Sequence, residues 1–166
     1  VSLPGQLPQP RSILFVCTAN QIRSPMAAAL FQQALQAAGQ HLDGWRVESA
    51  GTWAAKGRPP QPEAIRAMKR RGLDISAHRS RTLDASLLSA FRLILTMEPG
   101  QKEAIQVEFP GIASRVFLLS EMAGESKPVV DPIGKSPDEY EKTAKEIERL
   151  LHAGWNTIFQ KAASGD

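Results

Sequence analysis

The sequence predicts one α/β domain, a parallel sheet covered by helices on both faces. Three observations lead there. The chain has 166 residues, one domain at roughly 100–200 residues each. Its best strand candidates are short, continuous apolar runs rather than alternating ones, as in strands buried on both faces. These runs alternate with segments of helical periodicity, the order that builds parallel sheets. Hydrophobic residues make up 42% and charged residues 22%, ordinary for a globular chain. A chain of this size buries about 70% of its unfolded surface, enough for a core without staples.

The elements follow in order. Residues 1–11 hold three prolines, a glycine and two glutamines and read as a flexible leader outside the fold. The domain is expected over 12–161, with 162–166 as a tail. Ile13 to Val16 is the first buried strand. After a polar loop, Ser24 is expected as N-cap and Pro25 as first residue of a helix. Met26, Leu30, Ala34, Leu35 and Ala38 form its apolar stripe, and Gly39 stops it. Trp45 to Ala50 is the second strand. Pro62 to Arg71 is a helix with Ile65 and Met68 inward and Gly72 as its stop. Asp84 to Phe91 is a short helix, Leu93 to Leu95 the third strand, and Gln101 to Val107 another short helix. Val116 to Leu119 is the fourth strand. Ser136, Pro137 and Glu139 predict a capping box for one long helix to about Lys161. Tyr140, Ala144, Ile147, Leu151, Trp155 and Ile158 keep its helical spacing and read as core.

Composition excludes several classes. A single cysteine rules out an intrachain disulfide and a thiol-rich zinc site. His41, His78 and His152 lie far apart, with no metal-ligand spacing, so no metal is expected. No apolar run spans a bilayer, and no secretory pattern opens the chain, so a cytoplasmic protein is expected. The net charge is +3. Much of the excess lies between Arg66 and Arg81, read as a solvated helix face and loop. That stretch has no interleaved aromatics, so nucleic acid is not an expected partner.

Ligands of open parallel sheets bind beyond the carboxyl ends of the strands, which directs attention to the segment after the first strand. It reads Cys17-Thr18-Ala19-Asn20-Gln21-Ile22-Arg23-Ser24-Pro25. The lone cysteine ends a buried strand, one short loop before a helix N-terminus. Unpaired N–H groups and the helix dipole there favour a thiolate and bind oxyanions. A five-residue loop can curl with its N–H groups inward, and Arg23 can close the ring with a fork to two phosphoryl oxygens. The Ser24 hydroxyl can donate to the sulfur. Phosphoryl transfer also needs an acid for the leaving oxygen. Asp131, followed by Pro132 on the loop after the fourth strand, can fold over the same sheet end.

Cys-(x)5-Arg-Ser-Pro near the N-terminus with Asp-Pro near the C-terminus resembles the low-molecular-weight protein tyrosine phosphatase family. Ser49 to Trp53 and Gly72 to Arg81 are also similar to family stretches, and the likeness runs from Ser12 to Phe159. It implies a three-layer, flavodoxin-like sandwich whose four parallel strands lie in the order 2-1-3-4. It also implies roles. Cys17 attacks phosphorus and forms a thiophosphate. Arg23 and the loop from Thr18 through Ala19, Asn20, Gln21 and Ile22 to Ser24 hold the phosphoryl oxygens. Asp131 protonates the leaving group and then activates water. Asn20 takes a left-handed backbone conformation, with its side chain held by Ser49 or His78. A phosphorylated protein, phosphotyrosine first, is the expected substrate, phosphate-like oxyanions are expected inhibitors, and no cofactor is required.

The chain departs from the pattern in places. Ala19 replaces a loop Gly found in many members. Ile22 replaces a second cysteine that traps oxidised nucleophile, so peroxide is expected to carry Cys17 to irreversible sulfinic acid. Ile133-Gly134 stands where eukaryotic members have a tyrosine pair. That leaves Ile133 and Trp53 as the expected pocket walls. Gln21 occupies a position that is Thr in members acting on phosphoarginine, so phosphoarginine or a small aryl or acyl phosphoester stays open. Arsenate reduction through a cysteine relay lacks the further cysteines. A non-catalytic phosphate-binding module would not need the nucleophile and acid that are both present.

Overall fold

The computed structural model describes residues 9–163. The expected leader lies outside the described residues up to position 8, and the expected tail lies outside them from 164. Four strands form one parallel sheet: β1 (Arg11–Cys17), β2 (Trp45–Gly51), β3 (Leu93–Thr96) and β4 (Val116–Leu118), in the order β2-β1-β3-β4. This is the expected order 2-1-3-4. β1 begins at Arg11, a residue assigned to the leader, because it pairs with Trp45 in the β1–β2 register.

Among the described residues, six α-helices accompany the sheet: α1 (Arg23–Ala37), α2 (Pro62–Lys69), α3 (Ala85–Ser89), α4 (Pro99–Glu108), α5 (Pro137–Ala153) and α6 (Trp155–Ala163). The pleat of β1 divides two cores. Ile13, Phe15 and Cys17 join one that holds Met26 and Leu30 of α1, Met68 of α2, Ile147 of α5 and Ile158 of α6. Leu14 and Val16 face the other, with Leu88 of α3, Ile105 of α4 and Phe91. The chain leaves β1 toward one edge of the sheet and later returns past it toward the other, and with crossovers of the usual right hand this puts helices on both faces. The strand order reverses between β1 and β3, and a crevice opens at their carboxyl ends.

Three local expectations need correction. Ser24 is not the N-cap of α1. The helix starts at Arg23, Ile22 is the cap without a side-chain bond, and the Ser24 hydroxyl is engaged by Cys17 and Asn20. Ser136 makes no side-chain cap bond for α5. The last helix is not continuous but divides at Gly154, where a Cβ would stand 2.6 Å from Met122 Cβ. The backbone there passes too close to the Leu119–Ala123 turn for any side chain.

Candidate active site

The phosphate-loop candidate begins where β1 ends. Four of its carbonyls are turned outward onto the surrounding scaffold. Cys17 O accepts from Thr52 N at 2.9 Å, Thr18 O from Trp53 N at 3.1 Å and Gln21 O from Gln61 N at 3.0 Å. Asn20 O meets His78 Nε2 at 2.8 Å. No peptide bond is cis, and in a trans peptide the N–H points opposite the preceding C=O. The N–H groups of Thr18, Ala19, Gln21 and Ile22 therefore face inward. Among the described residues they donate to no protein acceptor. They surround a cavity of about 140 Å³ lined by Cys17, Thr18, Ala19, Gln21, Ile22, Arg23, Asp131 and Ile133.

Asn20 turns the loop. It has φ of 58°, left-handed backbone that Asn tolerates better than most residues. Its carboxamide is fully buried and bonded on both sides. Nδ2 donates to Ser24 Oγ at 2.8 Å and to Ser49 Oγ at 3.0 Å, and Oδ1 accepts from Arg81 N at 3.1 Å. Both expected supports are in contact, Ser49 with the side chain and His78 with the backbone carbonyl. Burial pushes the His78 pKa below the ordinary imidazole value, and the nearby Arg81 and Arg79 charges add to this against the raising bond to Asn20. Ser24 Oγ accepts from Asn20 Nδ2, so its own proton is shared between the Cys17 sulfur 3.0 Å away and Ala50 O at 3.4 Å.

Arg23 and Asp131 meet at the edge of the loop. The Arg23 guanidinium is 3% exposed and lies 3.1 Å from Glu98 Oε1 and 3.4 Å from Asp131 Oδ2. Its Nη1 also donates to Val129 O at 2.9 Å. Asp131 is oriented by its own turn, with Oδ1 accepting from Ile133 N at 3.1 Å. Tyr140, packed nearby, is pushed above the ordinary phenol value by burial and by the charges of Asp131 and Glu63. Ile133 lines the cavity. Trp53 does not; its N–H bonds to Thr18 O, and the residue is 85% exposed.

The sequence reading missed a second layer of partners. Gln101 is buried, and its carboxamide makes four bonds. Oε1 accepts from Met97 N and Glu98 N, and Nε2 donates to Thr18 Oγ1 at 3.0 Å and Glu98 Oε2 at 3.2 Å. The β3–α4 turn thereby braces both Thr18 and the carboxylate beside Arg23. Gln61 clamps Gln21 twice, through the backbone and through Nε2 to Oε1 at 2.7 Å. Glu98 before Pro99, with Gln101 three residues on, is a helix-start pattern that could have drawn attention to this turn.

Comparison with known proteins agrees with the geometry. Residues 12–163 match the family described as "Low molecular weight phosphotyrosine protein phosphatase". The chain is 40% identical over 143 residues, 86% of its length and 92% of the relative's, to the "Probable low molecular weight protein-tyrosine-phosphatase EpsP" of Ralstonia nicotianae. It is 35% identical, with the same coverage, to a "Protein-arginine-phosphatase" of Geobacillus stearothermophilus. Among solved structures it resembles a YwlE arginine phosphatase mutant with a phosphorylated active-site serine, at a TM-score of 0.83 and 33% identity. That likeness covers 90% of this chain and 96% of the other. A match that spans nearly the whole fold, on a chain whose one cysteine ends the first strand, means that the protein belongs to the low-molecular-weight protein tyrosine phosphatase family.

Proposed function

We propose that the protein is a phosphatase of phosphorylated proteins that acts through Cys17, with phosphotyrosine as its substrate. The observation that carries this reading is the set of inward N–H groups around the Cys17 sulfur, closed by Arg23. Those donors suit the equatorial oxygens of a phosphoryl group in transfer, where charge accumulates. The Cys17 thiolate attacks phosphorus; an S–P bond forms as the bond to the tyrosyl oxygen breaks. Asp131 gives its proton to that oxygen. The Asp131 carboxylate then takes a proton from water as the water attacks phosphorus, and phosphate leaves with the thiolate restored. The Ser24 hydroxyl stabilises the anionic sulfur at both ends of the cycle.

Two features favour an aryl group over a guanidinium. Ile22 and Ile133 supply apolar walls, and the Gln21 oxygen already accepts from Gln61, which leaves it one lone pair and a fixed orientation for guanidinium N–H groups. The relatives that are arginine phosphatases keep phosphoarginine as the second reading. The unit that acts is taken as residues 12–161. No helix among the described residues is long and apolar enough to cross a membrane, and a free thiol suits a reducing, cytoplasmic setting. Phosphate and similar oxyanions should compete for the same donors.

The test is hydrolysis of an aryl phosphate. Cys17→Ser should abolish turnover, and Asp131→Ala should slow it by about 10²–10⁴-fold. Unchanged turnover in Cys17→Ser would sink the mechanism. A paired panel of phosphotyrosine and phosphoarginine peptides decides the substrate, and faster hydrolysis of phosphoarginine would favour the second reading.

A further inference from the structure

A second depression lies beside the phosphate loop and is not used by the chemistry at Cys17. It has a volume of about 680 Å³, and its lining includes Arg46, Lys56, Arg81, Thr82, Asp84 and Ser86. The sheet sets its distance from the nucleophile. Cys17 is the register partner of Gly51, and Gly51 is bridged to Thr82 in parallel. At about 4.8 Å per neighbouring strand, Thr82 lies roughly 10 Å from Cys17. The segment between them is pinned at both sides. Thr52 N and Trp53 N bond to loop carbonyls, while Ala54 N and O both bond to Thr82 Oγ1.

The depression has more cations than its neighbouring carboxylates offset. Arg46 and Arg81 share one carboxylate, that of Glu48. Asp84 uses Oδ1 to cap Leu87 N at 2.7 Å. Lys56 has no salt bridge among the described residues. Trp53, exposed on the intervening segment, offers a flat apolar surface between this groove and the cavity.

We propose that the groove of Arg46, Lys56 and Arg81 docks acidic side chains of the phosphorylated protein substrate. An extended residue spans about 3.3 Å, so the acidic residues lie about three to five positions from the phosphorylated one. The proposal rests on the phosphatase reading and adds to it a sequence preference around the phosphoresidue. The contact is exposed and electrostatic, so it acts on encounter and on KM more than on kcat, and salt weakens it.

The test uses the full chain and three substrates: p-nitrophenyl phosphate and two phosphotyrosine peptides. The peptides carry either Glu or Ala at positions three to five on either side of the phosphotyrosine. The acidic peptide should have a kcat/KM about three- to tenfold higher, mostly through KM. The difference should shrink at about 0.5 M salt, where screening falls to a few ångströms. Lys56→Glu should remove the preference and favour a third peptide with Lys at the same positions, with p-nitrophenyl phosphate turnover unchanged. Equal kcat/KM for the Glu and Ala peptides, or a preference that survives Lys56→Glu, overturns the docking site alone. Failure of the wild type to hydrolyse p-nitrophenyl phosphate overturns the phosphatase reading and the docking site with it.

Discussion

At the scale of single residues, Asn20 shows how one side chain holds the site. Asn20→Ala keeps a Cβ at positive φ, costing about 1–2 kcal/mol, and removes the partners of the half-buried Arg81 N–H and the buried Ser49 hydroxyl. A loss of about 2–4 kcal/mol in denaturant unfolding is expected. Asn20→Gly removes the backbone strain but not the lost bonds, so it should fall short of wild type while exceeding Ala by about 1 kcal/mol. If Gly equalled wild type, the side-chain bonds would be irrelevant. His78 supplies a pH dependence. Its folded pKa is depressed, so the unfolded chain binds the proton more readily, and stability falls as pH drops below about 6.5. The fall continues to the folded pKa and levels below it. His78→Gln keeps a donor for Asn20 O without the titration, and its denaturation midpoint should change less between neutral and mildly acidic pH.

At the scale of elements, the pieces that were legible in the sequence are the ones whose causes are local. Cys17, Arg23 and Ser24 share one loop, and four apolar runs mark four strands. What was not legible depends on distant chain. Ser24 looks like an N-cap because Ser before Pro usually is one, yet its hydroxyl is claimed by Cys17 and Asn20. Glu98 and Gln101 come to the loop only because β3 lies beside β1. The final helix keeps its period across Gly154, so periodicity alone cannot locate the break that Met122 imposes. Gly51 offers a direct test of how tightly elements meet. A Cβ there would sit 2.3 Å from Thr18 O and 3.2 Å from Asn20 N. Gly51→Ala should push the loop off its geometry and lower kcat/KM by about 10²-fold, the effect of displacement near 1 Å. Wild-type kinetics in this variant would mean the loop can shift freely.

At the scale of the whole molecule, the candidate phosphate loop is the meeting point of segments that span the described chain. β1, the Thr52–Trp53 segment, Gln61, His78, Arg81, the β3–α4 turn and Asp131 all bond to it or to Arg23. A ligand in the loop should therefore stabilise the entire domain. Phosphate at about 100 times its Kd adds about 2.7 kcal/mol, or about 5–10 °C in Tm for a chain of this size. Cys17→Ser should retain the shift, and Arg23→Lys, without the guanidinium fork, should lose most of it. The opposite end of the sheet is held by rings. Phe31 lies 5.2 Å from Trp45 and 5.7 Å from Trp155, and Trp45 lies 5.0 Å from Phe159. Phe31→Ala removes the common member, and chemical denaturation should read a loss of about 3–5 kcal/mol with little effect on KM.

Cys17, 3% exposed at the floor of the cavity, is the one thiol in 166 residues. Any thiol-selective reagent that labels the native protein must reach that floor, so the rate of labelling times the opening of the loop with no background from other thiols. The same solitude bars maleimide dyes and cysteine cross-linkers from reporting on the living enzyme. A tethered or fluorescent form that still turns over needs a different chemical handle, placed far from the carboxyl ends of the strands.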